Sequence, residues 1–424
     1  MIRDIQHTQP LPRIEVNGRT YGSVAGPVVV VCVDGDEPAY HEEAIAAGRM
    51  PFLSTLLTRG TSLRAESAMP SFTNPNNLSI ATGVPPAVHG ICGNYFLDRE
   101  SRREVMMNDP ELLWAPTILA AYARRGVRVA VITAKDKLRR LLGAGLSGGI
   151  CFSAEYADQA DLETAGIEDV PKLVGMAPPP VYSADLSRFV LAAGVEVMRR
   201  YRPGVMYLSL TDYIQHKHPP GSPVADDFYA MLDQYYAELD ALGCLLVLTA
   251  DHGMNAKTDP DGRPAVIYLQ QELDDWLGPD TARVVLPITD PYVVHHGALG
   301  SYASVHLDPA LASDESRLGG LAARLAALPG VELAIAAAEA CARFELPPDR
   351  TGDIVVIGDR HTALGTTAGR HDLSELDAPL RSHGGLAEQS VPFIVNRPIA
   401  DLPAGHRLRN YDAYWVACNQ TVQS

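Results

Sequence analysis

The chain is punctuated by short runs of Val, Ile and Leu that stop abruptly at a polar residue. The runs are PVVVVCV (27–33), RVAVITA (128–134), VMYLSL (205–210), CLLVLTA (244–250), DIVVIG (353–358) and VPFIV (391–395). None alternates with polar residues, so each reads as a strand buried on both faces, the mark of a parallel sheet covered by helices. Helical patterns such as APTILAAYARRG and SRFVLAAGVEVMRRY fill the intervals. This alternation predicts a doubly wound α/β sheet, mostly parallel and flanked by helices. Residues 259–349 depart from it, mixing helix-like YLQQELDDWLG, strand-like TARVVLPITDPYVV and Ala-rich LGGLAARLAALPG. They are predicted to form an inserted α+β cap subdomain, leaving 1–258 and 350–424 as the core. A length of 424 residues suits one large α/β unit with such an insertion.

The polar stops carry the chemistry. The first run ends at Asp34-Gly35, the second at Lys135-Asp136-Lys137, the third at Thr211-Asp212 and the fourth at Asp251-His252-Gly253. In an open parallel sheet the carboxyl ends of the strands line one edge, where ligands bind, so these residues can converge. Asp212 and His216, spaced DxxxH in DYIQH, share one face of a helical turn and can hold a divalent ion. Asp251 and His252 add an oxygen and a nitrogen donor, Asp34 another oxygen, and His383 of RSHGG sits in a glycine-flexible turn. An Asp/His set without thiolates suits catalytic zinc, or manganese. His218, His295, His296 and His361 are read as ordinary hydrogen-bonded histidines.

In PSFTNPNNLSIATG, Thr73 stands at a helix mouth: Thr73 and Asn74 are both cap types, Pro75 suits a first helical position, and Gly83 can close two turns. On the residues alone Thr73 reads as a cap, and Lys135 and Lys137 read equally well as a solvated pair or as substrate ligands.

A formal charge of −16 argues against nucleic acid or an anionic membrane surface as partner, and an anionic small substrate would need a local positive site. The start, MIRDIQHTQPLPRIEV, carries charges and prolines where a signal peptide needs an apolar run, and no apolar segment is long enough to span a bilayer. A cytoplasmic protein is expected. Cys32, Cys92, Cys151, Cys244, Cys341 and Cys418 lack CxxC spacing and are expected to be buried thiols.

Taken in order, Asp34-Gly35, PSFTNPN, TGVPPAVHGICGN, DxxxH, ADHGM and SHGG resemble the alkaline phosphatase superfamily, in its nucleotide pyrophosphatase/phosphodiesterase-like branch. The matches run from Asp34 to His383. MPSFTNPNNLSIATG, GNYF, TAKDKLRRLL and DYIQHKHPPG are most similar to members that cleave carbon–phosphorus bonds. The resemblance implies an alkaline-phosphatase-like core and two zinc ions, with Mn2+ or Fe2+ as substitutes. Asp212, His216 and His383 would hold one ion; Asp34, Asp251, His252 and the Thr73 hydroxyl would hold the other.

The resemblance also makes Thr73 the nucleophile, passing through a phosphothreonine intermediate, and Asn94 of CGNYF a donor to a phosphoryl oxygen. Lys135 and Lys137, with His216 and His383, would bind a small anionic substrate, phosphonoacetate, cleaved to acetate and phosphate. A homodimer is compatible with it. The C-x-P-x-R pattern that marks sulfatases is absent, and Thr73 stands where alkaline phosphatases use Ser. Two alternatives remain open. A phosphodiesterase or nucleotide pyrophosphatase with the same di-zinc site would add an aromatic slot for a base. A non-catalytic metal-dependent binding protein would have no need of Thr73 together with every ligand.

Overall fold

The computed structural model describes residues 10–288, 298–374 and 376–422; His295 and His296 lie outside them. The strands that build the site are, in chain order, β1 (Val28–Cys32), β2 (Thr61–Glu66), β3 (Val129–Thr133), β4 (Ile150–Ser153), β5 (Val205–Ser209), β6 (Leu245–Thr249), β7 (Ala282–Val285), β8 (Tyr302–Leu307), β9 (Val331–Ala336), β10 (Ile354–Gly358) and β11 (Ser390–Val395). A seven-stranded sheet runs β2-β11-β6-β1-β5-β3-β4. The five strands from β6 to β4 are parallel; β11 joins antiparallel to β6, and β2, paired antiparallel with β11, runs in the direction of the five. The whole is an alkaline-phosphatase-like α/β fold.

Every residue of β1, β5 and β6 is buried, and alternate residues feed two different cores. Val29 and Val31 enter one apolar cluster; Val28 and Val30 enter the other, on the opposite face. Burying a Val or Leu side chain contributes about 1.5–3 kcal/mol, so a polar residue on either face would be costly. That is why these runs do not alternate.

Two strands differ from expectation. VPFIV belongs to the main sheet but runs antiparallel to β6. DIVVIG leaves that sheet altogether: β10 lies inside a second, four-stranded antiparallel sheet ordered β7-β8-β10-β9. An apolar run records burial on both faces and says nothing of partner or direction. In β10, Ile354 and Val356 face a cluster with the helices Leu269–Leu277 and Glu315–Ala326, whereas Val355 and Ile357 face Met69 and Phe72 of the main body. The back of the second sheet therefore rests on the segment that carries Thr73.

No helix among the described residues is long and apolar enough to cross a membrane. All six cysteines are free; Cys341 is half-buried and the rest are buried.

Candidate active site

Asp34 and Asp251 lie two residues beyond the ends of the neighbouring strands β1 and β6, whose last residues, Cys32 and Thr249, are in register. They reach the same point because parallel pairing leaves both carboxyl ends at one edge. His252 follows with its Nε2 3.2 Å from Asp34 Oδ1 and 3.9 Å from Asp251 Oδ2. Thr73 opens helix α1 (Thr73–Thr82). Phe72 is the N-cap residue, so neither Thr73 nor Asn74 caps the helix, contrary to expectation, and the helix begins two residues before Pro75. Pro75 has no N–H to give a cap at Thr73, and the Asn76 N–H, the other donor such a cap would use, goes to the Phe72 carbonyl at 3.3 Å. Its hydroxyl instead stands 3.5 Å from Asp34 Oδ1 and 3.3 Å from His252 Nε2. Gly83 ends the helix in the left-handed region, at φ 73°.

The second group forms differently. Asp212 precedes the short helix Tyr213–Lys217, and one turn on, His216 Nε2 lies 2.9 Å from Asp212 Oδ2. His383 arrives because Arg381–Ser382 pairs antiparallel with Asn255–Ala256, just past His252. The His383 ring stacks on His252 with centroids 3.6 Å apart and planes within 5°, and the edge of Phe72 meets it at 5.5 Å. Within each group, Asp34/Asp251/His252 and Asp212/His216/His383, the donor atoms lie within 4.8 Å of one another and all six residues are buried.

Three observations fit bound cations, the first at both groups and the other two at Asp34/Asp251/His252. His216 Nδ1 meets the Arg381 carbonyl at 2.9 Å, His252 Nδ1 that of Gly253 at 2.9 Å, and His383 Nδ1 that of Ser71 at 2.8 Å. A carbonyl only accepts, so Nδ1 carries the proton in each and Nε2 is left as the donor atom facing the centre. Burial and the neighbouring Asp34 carboxylate push the Asp251 carboxyl well above its ordinary range, the sign of acidic groups gathered without enough positive charge. Burial opposes a proton on His252, but Asp251 and Asp34 outweigh it and hold the imidazole up at about 10. A metal ion would supply that charge instead and leave His252 neutral, as a ligand must be. The two groups are thus metal-type sites side by side, consistent with a binuclear centre.

A cavity of about 460 Å³ opens beside them, lined by Asp34, Thr73, Asn94, Lys135 and Lys137 among others. Lys135 follows β3, is half-buried, and brings its Nζ within 4.0 Å of Asp212 Oδ1. Burial alone would lower its pKa; the Asp212 and Asp34 carboxylates raise it above the ordinary value. Lys137 is exposed at the same wall. Asn94 Nδ2 donates to the Ile288 carbonyl at 2.6 Å, and its buried Oδ1 has no hydrogen-bond partner among the described residues. A larger cavity, about 620 Å³, lies at the outer end of the sheet around Arg128, Gly149 and Cys151 and contains neither group. His218 and His361 belong to neither group.

Asn77, wholly buried on α1, is a residue that sequence reasoning missed. Its Nδ2 donates to Asp251 Oδ2 at 3.0 Å and to the Thr73 carbonyl at 3.0 Å, while its Oδ1 accepts from Tyr207 Oη at 2.8 Å and Ser209 Oγ at 3.0 Å. Asparagine competes poorly for helix interiors, so a second Asn one turn beyond Thr73 was the available signal. Arg140, exposed on the cavity wall with the lysines, was also passed over.

Residues 28–386 match the type I phosphodiesterase / nucleotide pyrophosphatase family, and the chain belongs to that family. Among solved structures it is similar to phosphonoacetate hydrolase from Sinorhizobium meliloti, determined in complex with phosphonoacetate and with phosphonoformate. The two chains are 54% identical, the alignment covers 98% of this chain and 99% of that one, and the TM-score is 0.91. A stretch of 41 residues is 58% identical to phosphonoacetate hydrolase of Penicillium oxalicum; it spans 9% of this chain and 57% of the length of that curated relative. Murine ectonucleotide pyrophosphatase / phosphodiesterase 5, at 18% identity, TM-score 0.61 and coverage of 94% and 96%, shares the fold.

Proposed function

We propose that this chain hydrolyses the carbon–phosphorus bond of phosphonoacetate to acetate and phosphate. The observation that carries the reading is the single cavity in which Thr73 and the Lys135–Lys137 pair meet beside two Asp/His groups; the similarity to the Sinorhizobium meliloti enzyme supports it. Asp34, Asp251, His252 and Thr73 would hold one metal ion and Asp212, His216 and His383 the other, and nitrogen and carboxylate donors suit zinc. Bound there, the ions supply the charge that ionises the Thr73 hydroxyl near neutral pH and offsets charge on the phosphoryl oxygens.

The Thr73 oxygen attacks phosphorus in line, and the C–P bond breaks with its electron pair passing to the CH2COO⁻ fragment. A bare carbanion is a poor leaving group, so the fragment departs as an enolate-like dianion. The Lys135 and Lys137 ammonium groups stabilise that charge as it develops, which is transition-state rather than ground-state binding. Asn94, whose Nδ2 has a second proton besides the one given to Ile288, donates to a phosphoryl oxygen. The carbon takes a proton from water, and water then cleaves the phosphothreonine. Three aspartates and ionised Thr73 carry about four negative charges, which two divalent ions balance; the lysines' charge is then surplus, available to a polyanion. The second sheet, completed by β10 and so extending past residue 349, is proposed to be the inserted subdomain; it backs the Thr73 segment through Met69 and Phe72, and none of the described residues lining the cavity belongs to it.

Phosphate and acetate release is the test, comparing zinc-loaded protein with chelator-treated and Thr73→Ala samples. Equimolar release that needs both zinc and Thr73, with a loss of about 10³-fold or more in the variant, is the expected outcome. A second reading draws on Tyr156 and Tyr182, exposed at the cavity mouth, as an aromatic slot for a nucleotide. Cleavage of p-nitrophenyl thymidine monophosphate faster than phosphonoacetate would select it.

A further inference from the structure

Glu388 is wholly buried, in the turn Leu386–Glu388 that follows the His383-Gly384-Gly385 loop. Its carboxylate divides between the two segments that carry the metal-type groups. Oε2 accepts the Gly385 N–H at 2.9 Å, two residues past His383. Oε1 accepts from Asn255 Nδ2 at 2.6 Å and Lys257 Nζ at 2.8 Å, on the segment leaving Asp251 and His252. The Glu388 carbonyl also accepts the Gly253 N–H at 2.8 Å. Lys257, equally buried, donates in addition to the Arg360 carbonyl at 3.0 Å.

A buried ion pair is poor evidence of stabilisation, because removing both charges from water costs about what the pairing returns. Fixed geometry is what this one supplies. One planar carboxylate grips the His383 loop with one oxygen and the His252 segment with the other, and the imidazoles those two segments carry are the stacked pair. We infer that Glu388, with its charge balanced by Lys257, is a positioning residue that sets the separation of the two metal-holding groups. The inference rests on the reading that both groups hold an ion. It makes metal affinity, rather than the fold alone, the property that Glu388 controls.

Zinc affinity and stoichiometry are measured by competition with a chromophoric chelator in the parent, in Glu388→Gln and in the double variant Lys257→Met/Glu388→Gln, beside thermal unfolding of each metal-free protein. Glutamine retains one acceptor oxygen and cannot accept at both segments, while the Lys257→Met change in the double variant removes the charge that the first change would strand. Both variants should bind at least one ion about 10–100-fold more weakly, with the metal-free double variant melting near the parent. At saturating zinc, kcat for phosphonoacetate should fall with KM little changed. A folded double variant that takes up two zinc ions with parental affinity would overturn the inference, and so would affinity losses that merely track the melting temperature. A parent that binds no zinc would overturn the reading of the site itself, and this inference with it.

Discussion

Asp34, Asp251 and His252 hang from two adjacent strands of a parallel ladder, whereas Asp212, His216 and His383 are assembled from one helical turn and a glycine loop far along the chain. The first group inherits its geometry from the backbone pairing of β1 with β6, with Asn77 bracing Asp251 and the Glu388 carbonyl holding the Gly253 N–H beside His252. The second depends on contacts across the molecule: the Arg381 carbonyl behind His216, the Ser71 carbonyl behind His383, and the Phe72 ring that also packs under the second sheet. Two sites of similar composition can therefore differ in what fixes them. One is set by a sheet, the other by the packing of loops, and the second should answer more readily to changes made elsewhere.

The largest effect that separates the groups should come from Lys135→Met, since Lys135 stands beside Asp212 and over the cavity. Turnover of phosphonoacetate should fall about 10²–10³-fold, while p-nitrophenyl phosphate, whose leaving group needs no help, loses far less. Equal losses on both substrates would mean that Lys135 serves the second group and not the leaving carboxylate.

Next in size, Asn77→Ala should weaken one zinc ion about 10–100-fold and leave the other near its parental affinity, read from a two-site competition titration. Were both ions weakened alike, the groups would be one cooperative unit and the contrast between them would fail.

The smallest effect concerns acid. Burial holds His89, beside α1, down at about 3 and His306, in β8, at about 4, against about 6.5 when unfolded. Below about pH 6.5 the unfolded chain binds the protons first, so stability is full above that value and drains as pH falls toward the folded values. Thermal melts of metal-free protein between about pH 7 and pH 4 should show this decline, and His306→Gln should flatten the part belonging to the second sheet. An unchanged profile in that variant would place the acid sensitivity in the main body alone.

Strand ends were the most legible part of the chain, because an apolar run broken by Asp34 or by Asp251-His252 has little other reason to stop with those residues. DxxxH was legible for the same local reason, the pitch of a helix. Direction and partner were not: VPFIV and DIVVIG record burial only, and both were assigned to a parallel ladder they do not join as parallel strands. The residue type of Thr73 reads as a cap because caps favour short polar side chains; only Phe72 in the capping position excludes that reading. Asn77, Lys257 and Glu388 each depend on at least one partner that sequence places 130 or more residues away, which no local pattern encodes.

The histidines of the centre owe their proton placement to carbonyl oxygens of Arg381, Gly253 and Ser71, not to a carboxylate side chain. A side-chain acceptor can be deleted by one codon change; a main-chain oxygen is present whatever amino acid occupies the position. Genetic drift at those three positions can therefore reshape packing without flipping an imidazole, so the proton pattern is inherited with the path of the chain rather than with its spelling.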